Sequence, residues 1–212
     1  ARENLWQKDF EIPIKHGVRQ PYAENGGPGG FAHAARNIGP IMQIAHDMEQ
    51  ACPEAWFVNF TNPMVRICDA VNRHSNIKAV GLCHQIYAGY GMVGVALAND
   101  LGIEVPEGLT GMHASVDQHP LQHRVREQIV PLVDIRAAGL NHFTWILSIN
   151  DRRTGEDLYP LFRKRFFELK PEFEPLTRDV FSAFGLFPVP GDTHLCEYLP
   201  WMSNPDTKPW DK

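Results

Sequence analysis

The chain has 212 residues, 43% hydrophobic and 21% charged, with a formal net charge of -5 when histidine is counted neutral. That is a globular balance with room for one large or two small cores. It leaves no apolar run near the roughly 20 residues of a membrane span and no basic run for nucleic acid.

In chain order, the opening Ala1-Arg-Glu-Asn-Leu has no strand, glycine loop and helix, and reads as the interior of a longer sequence. Residues 10–22 predict an irregular connection. Glu24-Asn-Gly-Gly-Pro28-Gly-Gly30 lacks G-x-G-x-x-G spacing and follows no strand, so it reads as the loop into a helix over 31–50. Ile38, Ile41, Ile44, Ala45 and Met48 would form the apolar stripe of that helix, kinked at Pro40. Residues 55–60, Ala-Trp-Phe-Val-Asn-Phe, predict a buried strand. It ends at Thr61-Asn62-Pro63, and Pro63 suits the first turn of a helix over 64–74.

Lys78-Ala-Val-Gly-Leu-Cys83-His84-Gln85 follows, a short strand over 79–82 that stops on a thiol and an imidazole before an apolar helix over 86–101. Strand, helix, strand and helix at this spacing predict parallel crossover units. Asn62 and Cys83 then fall at carboxyl ends of strands, where open α/β sheets bind ligands. A Cys-His pair there is a candidate metal or acid–base site. Cys83 reads equally well as an inert core cysteine. The four cysteines (Cys52, Cys68, Cys83 and Cys196) show no CxxC spacing and point to a reducing, cytoplasmic compartment.

Residues 102–131 are polar and carry His113, His119 and His123. They read as a solvated strand-and-loop insertion, with a metal cluster as the alternative. Strands are predicted over 133–138 and 143–149 around Gly139-Leu-Asn141-His142, helices over 157–169 and 175–183, and an extended segment over 184–190. It leads into Gly191-Asp192-Thr-His194 and Glu197-Tyr198, read as a tight loop.

Four stretches together carry a family signal: Asn59-Phe-Thr-Asn62-Pro63-Met64, Val80-Gly-Leu-Cys83-His84, Gly139-Leu-Asn141-His142-Phe143, and Gly185 to His194 with Glu197-Tyr198. In this order the chain resembles the NAD- and manganese-dependent glycosidases of glycoside hydrolase family 4, an exception to the two-carboxylate rule of glycosidases. The resemblance implies an α/β chain: the second half of a Rossmann-like parallel sheet over 1–101, then a mixed α+β substrate and metal domain over 102–212. It implies hydrolysis of small, unphosphorylated α-glycosides (α-glucoside, α-galactoside or α-uronide). NAD would oxidise C3 and elimination across C1–C2 would follow. An NAD-dependent dehydrogenase and an inactive assembly fragment are the alternatives. The family's opening glycine-rich pyrophosphate unit is absent, so the chain as it stands is expected to bind NAD poorly.

The resemblance implies Cys83 and His142 as ligands of Mn2+ or another divalent metal, and His84 as the general acid. His84 has a second reading as metal ligand or substrate contact. Asp192 aligns with the base at C2, or is a turn residue, with Tyr198 the next candidate. Asn62 would bind the sugar, cap the Pro63 helix, or both. A small glycoside and copies of the same chain are the expected partners.

Overall fold

A computed structural model describes residues 2–18, 26–112, 118–199 and 201. His113 lies outside them. The chain divides into two compact units, the first running to Cys83 and the second beginning at His84. No helix of the described residues is long and apolar enough to cross a membrane.

The first unit orders as α1 (Arg2–Lys15), α2 (Gly27–Ala51), β1 (Trp56–Asn59), α3 (Met64–His74) and β2 (Lys78–Gly81). The irregular connection expected from residue 10 is helix as far as Lys15 and passes through Pro13. Tertiary contacts override the weak local signal: Asp9 pairs with Arg36 and Trp6 stacks on His33, both partners on α2. α2 begins inside the glycine segment, because Pro28 sits in its first turn, where a missing N–H costs nothing.

β1 and β2 are parallel, with Trp56 opposite Lys78 and Asn59 opposite Gly81. The crossover expected from the sequence is therefore present. The burial expected of β1 is not. Its alternate residues Trp56 and Val58, with Phe60 beyond its end, are 60%, 49% and 73% exposed, as is part of Val80 and Leu82. Only the Phe57–Asn59 face is covered, packing with Ala79 against a small core of Ala45, Val71 and Ile77. A continuous apolar run cannot report which of its two faces has a neighbour.

The second unit orders as α4 (Ile86–Ala96), α5 (Ala98–Leu101), α6 (His119–Ile129), β3 (Val133–Leu140), β4 (Phe143–Asp151), α7 (Tyr159–Glu168), α8 (Pro175–Phe184), β5 (Phe187–Pro188) and α9 (Asp192–Tyr198). The helix expected over 86–101 is broken at Leu97. Much of the expected insertion is α6, which buries Gln122, Val125 and Ile129 at helical spacing. The tight loop at 191–194 is the start of α9. β3, β4 and β5 form an antiparallel sheet. In its register Arg136 faces Ser148 but Ala137 faces Ile146, leaving Leu147 as the extra residue of a bulge. The bulge puts Ile146 and Ile149, three apart in sequence, on the same inward face, and both are fully buried. Phe162, Phe166, Phe181 and Phe187 fill the core beneath, ring edge against ring face in most pairs.

α4 is pressed against α6 at Gly94. A Cβ there would stand 2.7 Å from Val125 Cγ1 and 3.2 Å from Ile129 Cβ. Both neighbours are β-branched and fully buried, so neither can yield cheaply. Gly94→Ala should therefore lower unfolding stability by about 1–3 kcal/mol, seen as a reduced denaturant midpoint at unchanged slope.

Candidate functional site

At the carboxyl edge of the parallel pair, Leu82 N donates to Asn59 O at 3.0 Å, and the two chains then part. Asn62 and Cys83 both lie just beyond this edge, as the crossover reading expected. Asn62 Oδ1 accepts from Met64 N at 3.3 Å, a cap for α3, while Cys83 is exposed, not the core cysteine of the alternative reading, and forms no disulfide.

In the second unit, the hairpin between β3 and β4 places His142. Asn141 takes the left-handed conformation (φ 54°), which asparagine tolerates, and Thr144 Oγ1 donates to Asn141 O at 2.7 Å. A side chain at Gly139 would collide with the Phe143 carbonyl, so the hairpin closes tightly only with glycine there. His142 is 6% exposed. Burial first, then the neighbouring His194 and His84, push its imidazole down to about 3, so it stays neutral with a lone pair to offer.

His194 and Glu197 share one face of α9 three residues apart. His194 Nδ1 and Glu197 Oε2 lie 3.2 Å apart, and the His194 ring stacks on His142 at 4.4 Å between centroids and 6° between planes. One ligand atom from each of His142, His194 and Glu197 can lie within 4.8 Å of the others. Two imidazoles and a carboxylate are a reasonable donor set for a first-row divalent ion, manganese included. The resemblance motif contains His194 and Glu197, but their pairing was not legible while residues 191–194 read as a loop.

His84 opens the second unit. Its side chain reaches solvent, yet the protein around it lowers its imidazole below the ordinary range, through desolvation first and then Arg126, His194 and His119. That field links His84 to the same cluster as His142 and His194.

Asp192 stands at the root of α9. Its Oδ2 and Oδ1 accept from Leu176 N and Thr177 N, at 3.0 and 2.7 Å, so it caps α8 from a distance. Its own N–H donates to Glu174 Oε2 at 2.8 Å, and Glu174 Oε1 accepts from Met112 N at 2.5 Å. Glu174 is buried, with a left-handed backbone (φ 50°). Burial raises the proton affinity of both carboxyls, and for Glu174 the nearby Asp192 charge adds to it.

Residues 2–98 match the sequence profile described as family 4 glycosyl hydrolase, and residues 137–208 that of its C-terminal domain. An α-galactosidase of Bacillus subtilis is 33% identical over 92% of this chain and 38% of its own length. The chain spans less than half the length of the curated relatives it matches. The crystal structure of lplD from Bacillus subtilis superposes with a TM-score of 0.72 at 27% identity, covering 98% of this chain and 46% of that one. A 6-phospho-alpha-glucosidase from gut microorganisms, solved in complex with NAD and Mn2+, shares the fold at a TM-score of 0.56 and 22% identity, over 85% of this chain and 39% of its own.

A carboxyl whose proton affinity is raised by folding destabilises the folded state once it must ionise. Stability should thus fall as pH rises from the ordinary carboxyl range through the raised value of Glu174. Glu174→Gln keeps one of the two acceptor oxygens, loses the other and removes the ionisation, so the melting temperature should drop overall while its alkaline fall flattens in that variant.

Proposed function

The chain belongs to family 4 of the glycosyl hydrolases, and from that premise we propose that it acts in the hydrolysis of small α-glycosides with a divalent metal and NAD. The observation that carries this reading is the convergence of His142, His194 and Glu197 on one point, with His84 in the same electrostatic neighbourhood. The family relative solved with NAD and Mn2+ supports both cofactors.

The metal fits the residues present. His142 and His194 would hold it, and Glu197 would orient His194 through Nδ1, as carboxylates commonly do for ligating imidazoles. The family resemblance adds the Cys83 thiolate to this set. A bound divalent ion would draw electron density from sugar oxygens beside C2 and make the C2 proton more acidic. NAD has a poorer fit: among the described residues no glycine-rich turn joins a strand to a helix, so the pyrophosphate cradle is not among them.

The protein side chains then divide the proton work. Asp192 is the base at C2. Two of its lone pairs are taken by Leu176 N and Thr177 N, and others remain. Its raised proton affinity makes it a stronger base than an ordinary aspartate. His84 gives a proton to the leaving oxygen at C1. Its lowered affinity makes it a ready donor once protonated, and sets a low-pH limit on that protonated fraction. Asn62 offers its amide to a sugar hydroxyl while its oxygen caps α3.

The reading is tested in a protein that carries this chain, supplied with NAD and Mn2+. It should release the aglycone from 4-nitrophenyl α-glycosides and exchange the C2 hydrogen with heavy water. Asp192→Asn should slow that exchange by a factor on the order of 100, the usual scale of general-base help. Exchange at the normal rate in the variant would pass the role of base to Tyr198. Absence of both release and exchange in the parent protein would reject the glycosidase reading.

A further inference from the structure

Neither α8 nor α9 is capped by the residue that precedes it. Glu174, before α8, sends its carboxyl elsewhere, and Gly191, before α9, has no side chain. The two helices exchange caps instead. Asp192, the first residue of α9, accepts from Leu176 N and Thr177 N in the first turn of α8. Glu174 returns the service, accepting from Asp192 N at 2.8 Å at the start of α9. Its other oxygen accepts from Met112 N at 2.5 Å. An acidic group at a helix N-terminus satisfies orphan N–H groups and suits the helix dipole.

The Glu174 half of this exchange is held at a cost. The residue is 4% exposed, and its backbone is left-handed (φ 50°), a conformation that suits glycine and not a long side chain. A buried carboxyl in a strained backbone persists only where its contacts over-determine it. Two N–H groups from separate segments meet this one side chain, so two acceptor oxygens are needed. A carboxyl has both; an amide has one, its nitrogen being a donor.

α9 has seven residues, too few to hold a helical phase unaided. Its first intrahelical bond runs from Leu195 N to Gly191 O at 3.0 Å. His194 stands within that turn, its ring stacked on His142. Releasing Asp192 N therefore loosens the turn that presents His194.

We propose that Glu174 is a positioning residue for the metal site: by holding the first N–H of α9 it sets where His194 stands beside His142, without itself touching the metal. The inference rests on the metal in the reading above and adds to it a residue outside the family motifs.

The test compares calorimetric Mn2+ affinity and melting temperature among variants of a protein that carries this chain. Glu174→Gly removes the carboxyl and suits the left-handed backbone, so it separates loss of the tie from loss of the fold. Its Mn2+ affinity should fall on the order of 10-fold or more, the scale of losing a group that orients a ligand. Gly94→Ala is the control. It is destabilised by crowding between α4 and α6 and should bind Mn2+ as the parent does. Parent affinity in Glu174→Gly overturns the proposal and leaves the metal reading standing. An equal loss in Gly94→Ala reports general loosening and overturns it too. If the parent binds no Mn2+, the metal reading fails and the proposal with it. Should Glu174→Gly not fold, Glu174→Asn decides, because asparagine also accepts the left-handed backbone but is one carbon too short for both N–H groups. Parent affinity in that variant overturns the proposal.

Discussion

The candidate site of the second unit depends on a pair of acidic side chains, Glu174 buried and Asp192 half-buried, that hold backbone, not cations. Glu174 and Asp192 between them accept N–H groups from Met112, Leu176, Thr177 and Asp192 itself. Three separate pieces of chain are tied at that point: the segment after α5, the start of α8 and the start of α9. Gly191 makes the approach possible. Its φ is 73°, and a Cβ there would press to 3.1 Å from Glu174 Oε2. Because Asp192 begins α9, the knot fixes the phase at which His194 and Glu197 leave the helix. The positions of the potential metal ligands are thus set by carboxyl groups that need not touch the metal.

A second consequence concerns charge. Desolvation keeps His142 neutral, and imidazole neighbours reinforce that state rather than oppose it. His142 offers a lone pair to a metal only while neutral, so the environment that makes it a poor cation makes it a good donor. Arg126 cannot follow it, since its charge is permanent in any accessible pH range. The cluster therefore sorts its members into groups that yield their protons and one that does not.

Much of the fold was legible because the informative residues sit where backbone geometry is unusual. Asn141-His142 lies at a hairpin, Asn62-Pro63 before a helix, and Cys83-His84 beyond a strand, and these short motifs carried both the α/β reading and the family. What escaped was decided by distant partners. The helix through Pro13 is held by α2, a neighbour no local pattern announces. α6 hid its spacing of Gln122, Val125 and Ile129 among many polar residues. The exposure of Trp56 and Val58 depends on what lies over the sheet, which an apolar run does not encode. Asp192 read as a turn residue or a base. Its service as a remote cap for α8 links residues fifteen and sixteen positions apart in the chain.

The bulge at Leu147 bears on how this hairpin tolerates changes in length. Leu147 is 54% exposed and has no opposite number on β3, where Arg136 and Ala137 face Ser148 and Ile146. Losing that one codon would restore simple alternation and leave Ile146 and Ile149 on their shared inner side. Losing Ser148 instead would bring Leu147 into the vacated pairing and achieve much the same. A deletion at Thr144 is different in kind, because it shortens the path from His142 to Ile146 and turns one of them away from its present side. Gaps and insertions in this strand are therefore unequal: those at the bulge alter local twist, and those nearer the turn exchange inside for outside.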